Sequence, residues 1–449
     1  MGMNIQKHET IMGRDIMDYR KQIEEIVNYI KKGEKKKDDF KIGIEFEHFV
    51  VDKDSLKTVS YYGENGVGET LKELEKAGWE GSYEGQYVLK LSNGDKNISL
   101  EPGAQLELSI KPKKRIKDIE KIYLDFLWEI LPILNKKNQT LITVAYHPVT
   151  KIEEIRLLPK KRYDFMFHYF KSKGKYAHNM MKGTAALQVS IDFNSEEDYR
   201  RKFRVANALS PVLQGIFDSG FYFEGERWPK YNVRAEIWNN CDNDRCGIVD
   251  TALDDDYSYE KYAEYMLNRP PIFIYKDDNE VYTKDKLIKE VFDPDNFKTN
   301  ELQHLFTMFF PDVRTKNYME IRMMDSVPYP LNFSAVALIK GIFYNEENLD
   351  RVYNYIEDIT LDDIKKSKKS IIENGLEGTL KDERILNIGK WLLEISKNGL
   401  DDEEKDYLLP LENMMNSSKN PYEIIREKEA LGKKEALKWC LLNNVIEVK

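Results

Sequence analysis

Five segments of this chain alternate apolar and polar residues with a period of two, and their polar phase carries a narrow choice of side chains. They are "IGIEFEHFVV" (42–51), "SLEPGAQLELSIKP" (99–112), "TAALQVSIDF" (184–193), "YNVRAEIWNN" (231–240) and "NYMEIRMMD" (317–325). A period of two belongs to an extended strand, whose successive side chains point to opposite faces. One phase holds Ile42, Ile44 and Phe46; Leu100, Ala104, Leu106 and Leu108; Leu187, Val189, Ile191 and Phe193; Val233, Ala235 and Ile237; Met319, Ile321 and Met323. The other holds Glu45 and Glu47; Glu101, Gln105 and Glu107; Thr184, Gln188 and Ser190; Arg234 and Glu236; Glu320 and Arg322. A half-buried antiparallel strand usually turns a mixed face to solvent. Here acids, amides and arginines dominate the positions just named, and lysine is absent from them.

If the five segments share one sheet, Glu45, Glu47, Glu101, Glu107 and Glu320 converge on one surface. Same-face neighbours then lie about 6.5–7 Å apart along a strand and about 5 Å apart across strands. So many carboxylates do not ionise together without cations, and hard oxygen ligands suit Mg²⁺ or Mn²⁺. Arg234 and Arg322 on the same face, with Arg245, Arg314 and Lys316 nearby in sequence, suit phosphate or carboxylate recognition. Acids for metal plus arginines is the equipment of phosphoryl transfer. Blander readings stand beside these. Arg322 can pair with Glu320 and Arg234 with Glu236, Arg314 and Lys316 can be solvated loop charges, and Trp238 can be packing.

Elsewhere the pattern is that of an α+β chain. Tyr19, Ile23, Ile26, Val27 and Ile30 recur at helical spacing, and the charged stretch 31–39 follows as a linker. The Gly-rich stretch 61–80 imitates a phosphate-binding loop, but Glu69 stands where the essential Lys should be, so it reads as a loop opening a helix. A helix is expected over about 115–138, a buried strand over 140–148, and a helix start at Ser195, three residues before Asp198. From about 334 the pattern is helical. The expected fold is a curved, mostly antiparallel sheet with a polar active-site face and helices on the other face. A catalytic α+β domain is expected over 1–335 and a helical C-terminal region over 336–449.

Composition narrows the function classes. With 449 residues and a net charge of −9 the chain lacks the basic face of a nucleic-acid binder. No run approaches the roughly 20 apolar residues of a membrane span, and the first residues lack a signal peptide's apolar core. Three cysteines, Cys241, Cys246 and Cys440, do not make a disulfide scaffold. A cytoplasmic home and small-molecule partners are therefore expected, with no membrane or nucleic acid; oligomeric state stays open.

The motifs "GIEFEHF", "SLEPGAQLELS", "PKKRY", "QVSIDFNSEEDYRRKFRVANAL", "IWNNCDNDRCG" and "FPDVRTKNYMEIRMMD" occur in order. Together they resemble the glutamate–cysteine ligase family of plants and many bacteria, whose fold is related to glutamine synthetase, over roughly residues 20–440. The resemblance implies an enzyme that phosphorylates the γ-carboxylate of glutamate with ATP and lets the cysteine amine displace the phosphate, the first step of glutathione-type thiol synthesis. It implies two or three Mg²⁺ ions, with Mn²⁺ as a substitute, and ATP as co-substrate. Residue by residue it makes Glu45, Glu47, Glu101, Glu107 and Glu320 metal ligands, with Gln188 as a neutral ligand or substrate contact. Arg322 falls on the transferring phosphate, Arg245 on phosphate or substrate, and Arg234 on a substrate carboxylate. Gln105, Thr184 and Trp238 join the substrate-binding set, and Arg314 and Lys316 the ATP-binding set. Departures at "NNCDND", at Cys246–Gly247 and at "MMDSVPYP" leave the acceptor amine open. The alternatives are a γ-glutamyl ligase for another amine, a guanidino-type kinase on the same fold, or a binding protein without turnover.

Overall fold

Four of the five alternating segments do pair into one sheet. The computed structural model describes residues 19–277, 279–443 and 445. Its main sheet has nine strands: β1 (Ile42–Asp52), β2 (Glu80–Glu84), β3 (Tyr87–Asn93), β4 (Lys96–Leu100), β5 (Leu106–Lys113), β6 (Gln139–Ile142), β7 (Ala186–Ile191), β8 (Val313–Thr315) and β9 (Met319–Asp325). The order is β8-β9-β7-β1-β5-β4-β3-β2, and β6 pairs with the far end of β1. Every pairing is antiparallel.

The apolar phase behaves as read. Ile44, Phe46, Leu106, Leu108, Leu187, Val189, Met319 and Ile321 are all buried. Helices Ile116–Lys136 and Leu331–Phe343 cover that face, with Phe46 against the rings of Tyr123 and Phe333. The first has an apolar stripe through Ile119, Tyr123, Phe126, Ile130 and Leu134, the spacing of a one-sided helix. The second is buried nearly all round, as its apolar sequence requires. Gly341 in it lies so close to the helix Ile385–Asn398 that a Cβ would stand 2.3 Å from the Ser396 carbonyl oxygen. The boundary expected at 335/336 falls inside this helix.

Other expectations fare as follows. A helix covers 19–31, and the residues before 19 lie outside those described. The Gly-rich stretch leads into the helix Val67–Lys76. Ser195 caps the helix Glu196–Ala208, its hydroxyl accepting from the Asp198 N–H at 3.2 Å. The strand expected over 140–148 ends at Ile142. Among the described residues no helix is long and apolar enough to cross a membrane.

Two segments differ in ways that matter to the site. "SLEPGAQLELSIKP" is two strands, β4 and β5, joined by a tight turn. Pro102 has no N–H to give a ladder, Ala104 takes a left-handed φ of 67°, and the Glu101 N–H donates to the Gln105 carbonyl at 2.9 Å. Glu101 and Glu107 therefore sit on opposite sides of a hairpin. "YNVRAEIWNN" is a helix, Val233–Asn239. Its alternation also satisfies a spacing of four, with Val233 and Ile237 on one side and Arg234 and Trp238 on another, and period alone does not separate the two in so short a run.

Candidate active site

The polar phases of β3, β4, β5, β1, β7 and β9 form the floor of a cavity of about 220 Å³. The register sets them side by side. Lys90 lies opposite Ser99, Ser99 opposite Glu107, and Glu107 opposite Glu47; one step along β1, Glu45 lies opposite Gln188, and Ser190 opposite Glu320. Helices Lys161–Phe170, Ala177–Gly183 and Val233–Asn239 line the rest of the cavity through Arg162, Tyr163, Met166, Met180, Met181, Arg234 and Trp238. Glu101 enters from the β4–β5 turn. In that turn Gly103 lies against the Lys182 carbonyl oxygen, which a Cβ would meet at 2.3 Å.

The acids fall into two electrostatic groups. Removal from water, reinforced by Glu107 and Glu320, pushes the Glu45 carboxyl up to about 7. Burial and the charges of Glu101 and Glu107 push Glu47 to about 8, and burial and Glu101 raise Glu107. Like charges directly opposite on a sheet repel, and among the described residues no ion pair relieves Glu45, Glu47, Glu101 or Glu107. Their partners are neutral. Glu47 accepts from the Ala186 N–H at 2.7 Å and the Gln188 amide at 2.9 Å, and Glu107 from Ser99 and Ser109 at 2.7 and 3.2 Å. Glu320 is the opposite case. Burial alone would raise it, but ion pairs with Arg314 and Lys316, and Arg322 at 3.5 Å, hold it well below the carboxylate range.

Arg322 is the hinge between the groups. Its Nη1 donates to Gln188 Oε1, while the Gln188 amide nitrogen donates to Glu47. Its Nε is buried without a partner, and the side chain lines the cavity. Burial and the neighbouring Arg314 lower its pKa.

Several expected roles change. Arg245 does not line the cavity. It is wholly buried, bonded through Nε to Asp242 at 2.6 Å and through its terminal nitrogens to the Met308 carbonyl and the Tyr169 hydroxyl, both at 2.9 Å. That is a structural arginine, not one for phosphate or substrate. Gln105 and Thr184 line the cavity with their polar groups already engaged: Gln105 bonds Gly103 N–H and the Thr184 carbonyl, and Thr184 bonds the Met180 carbonyl. Gln188 has its oxygen turned to Arg322, and Glu320 its oxygens to three cations, so neither is open to a metal in this arrangement. Arg314 and Lys316 are likewise engaged with Glu320, and Lys316 stands outside the cavity lining.

Arg234 does reach the site, from a helix. Its terminal nitrogens donate to the Met323 and Arg322 carbonyls, each at 3.0 Å, and its guanidinium lies 5.4 Å from the Trp238 ring. Nε of Arg234 and Nε1 of Trp238 are buried and unpartnered. Among the described residues no three acidic, His or Cys side chains are already gathered as a metal cluster; the acids stand along the floor rather than around a point. The residues that strand periodicity missed are Lys90, Lys160, Arg162 and the three methionines. "PKKRY" was the available signal for two of them, but a helix start offers no alternation to read.

Residues 41–438 match the glutamate-cysteine ligase family 2. The chloroplastic glutamate–cysteine ligase B of Oryza sativa subsp. japonica is 29% identical over 413 residues, covering 89% of this chain and 82% of that protein. The chloroplastic enzyme of Arabidopsis thaliana is 27% identical over 415 residues, covering 90% and 79%. The crystal structure of a glutamate–cysteine ligase from Francisella tularensis in complex with AMP superposes with a TM-score of 0.55 at 13% identity, covering 89% of this chain and 87% of that one, a likeness of fold. The plant relatives are named chloroplastic, a finding that overturns the cytoplasmic home expected above. The family match spans most of the chain, and with these relatives it leads to one conclusion: the chain belongs to the glutamate-cysteine ligase family 2 and is a ligase.

Proposed function

We propose that the protein joins the γ-carboxylate of L-glutamate to the amine of L-cysteine with ATP, through a γ-glutamyl phosphate. The observation that carries this reading is the facing pair Glu47, buried, and Glu107, half-buried, with half-buried Glu45 beside them, at the floor of the cavity and, among the described residues, without an ion-pair partner. An all-oxygen set of like charges fits a hard divalent ion, and Glu45, Glu47, Glu101 and Glu107 would hold Mg²⁺. Bound there, the ion would offset the repulsion between substrate anions and polarise the transferred phosphoryl group.

The chain's own groups supply the rest. Arg322, braced by Gln188, presents its planar fork to the equatorial oxygens of the transferring phosphoryl group. Arg314 and Lys316 exchange Glu320 for the incoming polyphosphate, which frees the Glu320 oxygens toward the site. Arg234 and Trp238 offer their free N–H groups to the donor carboxylate. A γ-carboxylate oxygen attacks the terminal phosphorus and ADP leaves. The acceptor nitrogen then attacks the acyl carbon, inorganic phosphate leaves, and the amine proton is lost. The roof of helices limits water at the acyl phosphate.

Incubation of the pure protein with Mg-ATP, glutamate and single amines, with products identified by mass spectrometry, tests the reading. ADP, phosphate and γ-glutamylcysteine are expected. A stable phosphorylated acceptor would make it a kinase, and no product with any amine would make it a binding protein.

A further inference from the structure

Behind the main cavity lies a second, much smaller one, of about 10 Å³. That is room for about one water molecule. Gln214, Arg234, Trp238, Asp312 and Arg322 line it, and Arg234, Trp238 and Arg322 also line the main cavity. Four of these side chains carry a buried polar atom without a hydrogen-bond partner: Gln214 Oε1, Arg234 Nε, Trp238 Nε1 and Arg322 Nε. A buried polar group left unpaired costs stability. Three donors and an acceptor gathered around one small cavity therefore point to an occupant that both donates and accepts.

Gln214 reaches this cavity from the helix Ser210–Ile216 and is 5% exposed. Ser210 stands one turn before it, on the same side of the helix, and donates to Asp312 Oδ2. Lys368 donates to the same oxygen, so Asp312 Oδ1 keeps its capacity to accept. The Asp312 carbonyl already accepts the Arg322 N–H at 3.0 Å. Gln214 itself is not among the residues lining the main cavity.

We propose, on the strength of the ligase reading above, that Gln214 positions Arg322 through one buried water held in this small cavity. The water accepts from Arg322 Nε and donates to Gln214 Oε1 and Asp312 Oδ1. That gives it about three bonds, the usual number for a buried water. Arg234 Nε and Trp238 Nε1 remain for the donor carboxylate. A monatomic anion would meet the Asp312 carboxylate here, and a cation would meet two guanidinium groups, so water is the occupant that fits. Its effect is on orientation. Gln188 holds Arg322 at Nη1 alone, and a second hold at Nε fixes the plane of the guanidinium that faces the transferring phosphoryl group.

Gln214→Met keeps the reach of the side chain and removes the acceptor. In steady-state ligation of glutamate and cysteine its kcat should fall about tenfold, with the KM values for ATP, glutamate and cysteine within about twofold. In the Arg322→Lys background, which has no Nε, the same substitution should change kcat by less than about twofold. A crystal structure of the wild type should show a water within hydrogen-bond distance of both Gln214 Oε1 and Arg322 Nε, and it decides alone if thermal melts show Gln214→Met to be unfolded. An unchanged kcat, a loss confined to KM, an equal loss in both backgrounds or a dry cavity overturns the assignment while the ligase reading stands. A wild type that forms no amide with any amine removes the ligase reading and this role of Gln214 together.

Discussion

Glu107 is the acid of the floor that can be neutralised with least collateral change. Both of its serine bonds fall on one oxygen, which the amide of Glu107→Gln retains. The substitution removes one of two facing charges, so the melting temperature of the ligand-free protein should be no lower than that of the wild type. Amide formation should fall about 100-fold or more and should demand higher Mg²⁺, as measured by product mass spectrometry across a metal titration. Glu47 is less clean, because both of its oxygens are occupied and one of them orients Gln188. Arg322 acts through shape as well as charge. Arg322→Lys keeps the charge and loses the fork, so kcat should fall about 100-fold with a smaller change in the KM for ATP. A loss confined to the ATP KM would place Arg322 in ground-state binding. Glu45, Glu47, Glu107 and Arg322 were legible as a common face because strand periodicity assigns a side to each residue. The burial of Arg245 was not, since nothing local to "DNDRCG" reveals that Tyr169 and the Met308 carbonyl close over it.

Strand β9 shows how an element shapes the site beyond its own pattern. Its register against β7 shifts between Ile321 and Met324, and Arg234 bridges the two carbonyls at that irregularity. Just past it, Asp325 lies within the influence of Asp218 in a buried acid pair. Burial raises Asp325 to about 7 despite Arg234 at 3.9 Å, and burial and Asp325 hold Asp218 well above its ordinary value. Unfolded aspartates ionise near 3.8. Between that pH and about 7 the folded protein binds more protons than the unfolded chain, so stability falls as pH rises through this window. Urea denaturation of the ligand-free protein should give a free energy lower at pH 8 than at pH 5, by on the order of 2 kcal/mol from Asp325. Asp325→Asn keeps an oxygen for the Ser219 N–H and should reduce that slope. An unchanged slope would remove Asp325 as its source. The helix Val233–Asn239 was read as a strand because seven residues satisfy both periods, and only its packing decides between them.

At the scale of the molecule, the C-terminal helices reach back to the sheet. Lys368, on the helix Leu361–Asn374, pairs with Asp312 where both side chains are buried, and Ser210 donates to the same carboxylate. The Asp312 carbonyl accepts the Arg322 N–H at 3.0 Å, so a residue far along the chain braces the backbone of the proposed catalytic arginine. Glu404 does similar work, accepting from the Ile116 N–H at 2.9 Å and pairing with Lys340. Lys368→Met leaves the Asp312 carboxyl buried without its cation and should cost about 3–5 kcal/mol in urea denaturation. Its kcat should fall as well, and Lys368→Arg should restore part of both. A variant with wild-type stability would show that the pair contributes little.

The sequence alone determined the antiparallel sheet, its apolar and polar sides, the helical C-terminal stretch and the family resemblance. Each of these follows from local periodicity or from contiguous motifs, which need no knowledge of distant neighbours. Tertiary structure decided which charges remain free. Glu320, Arg314, Lys316 and Arg245 look like site residues in one dimension and are engaged with one another or with the fold in three. Lys90, exposed, and Lys160 and Arg162, half-buried, line the cavity and have no ion-pair partner among the described residues. Pairing depends on which segments the fold brings within a few ångströms, and burial sets the cost of leaving a charge unpaired, so both are properties of the packed molecule.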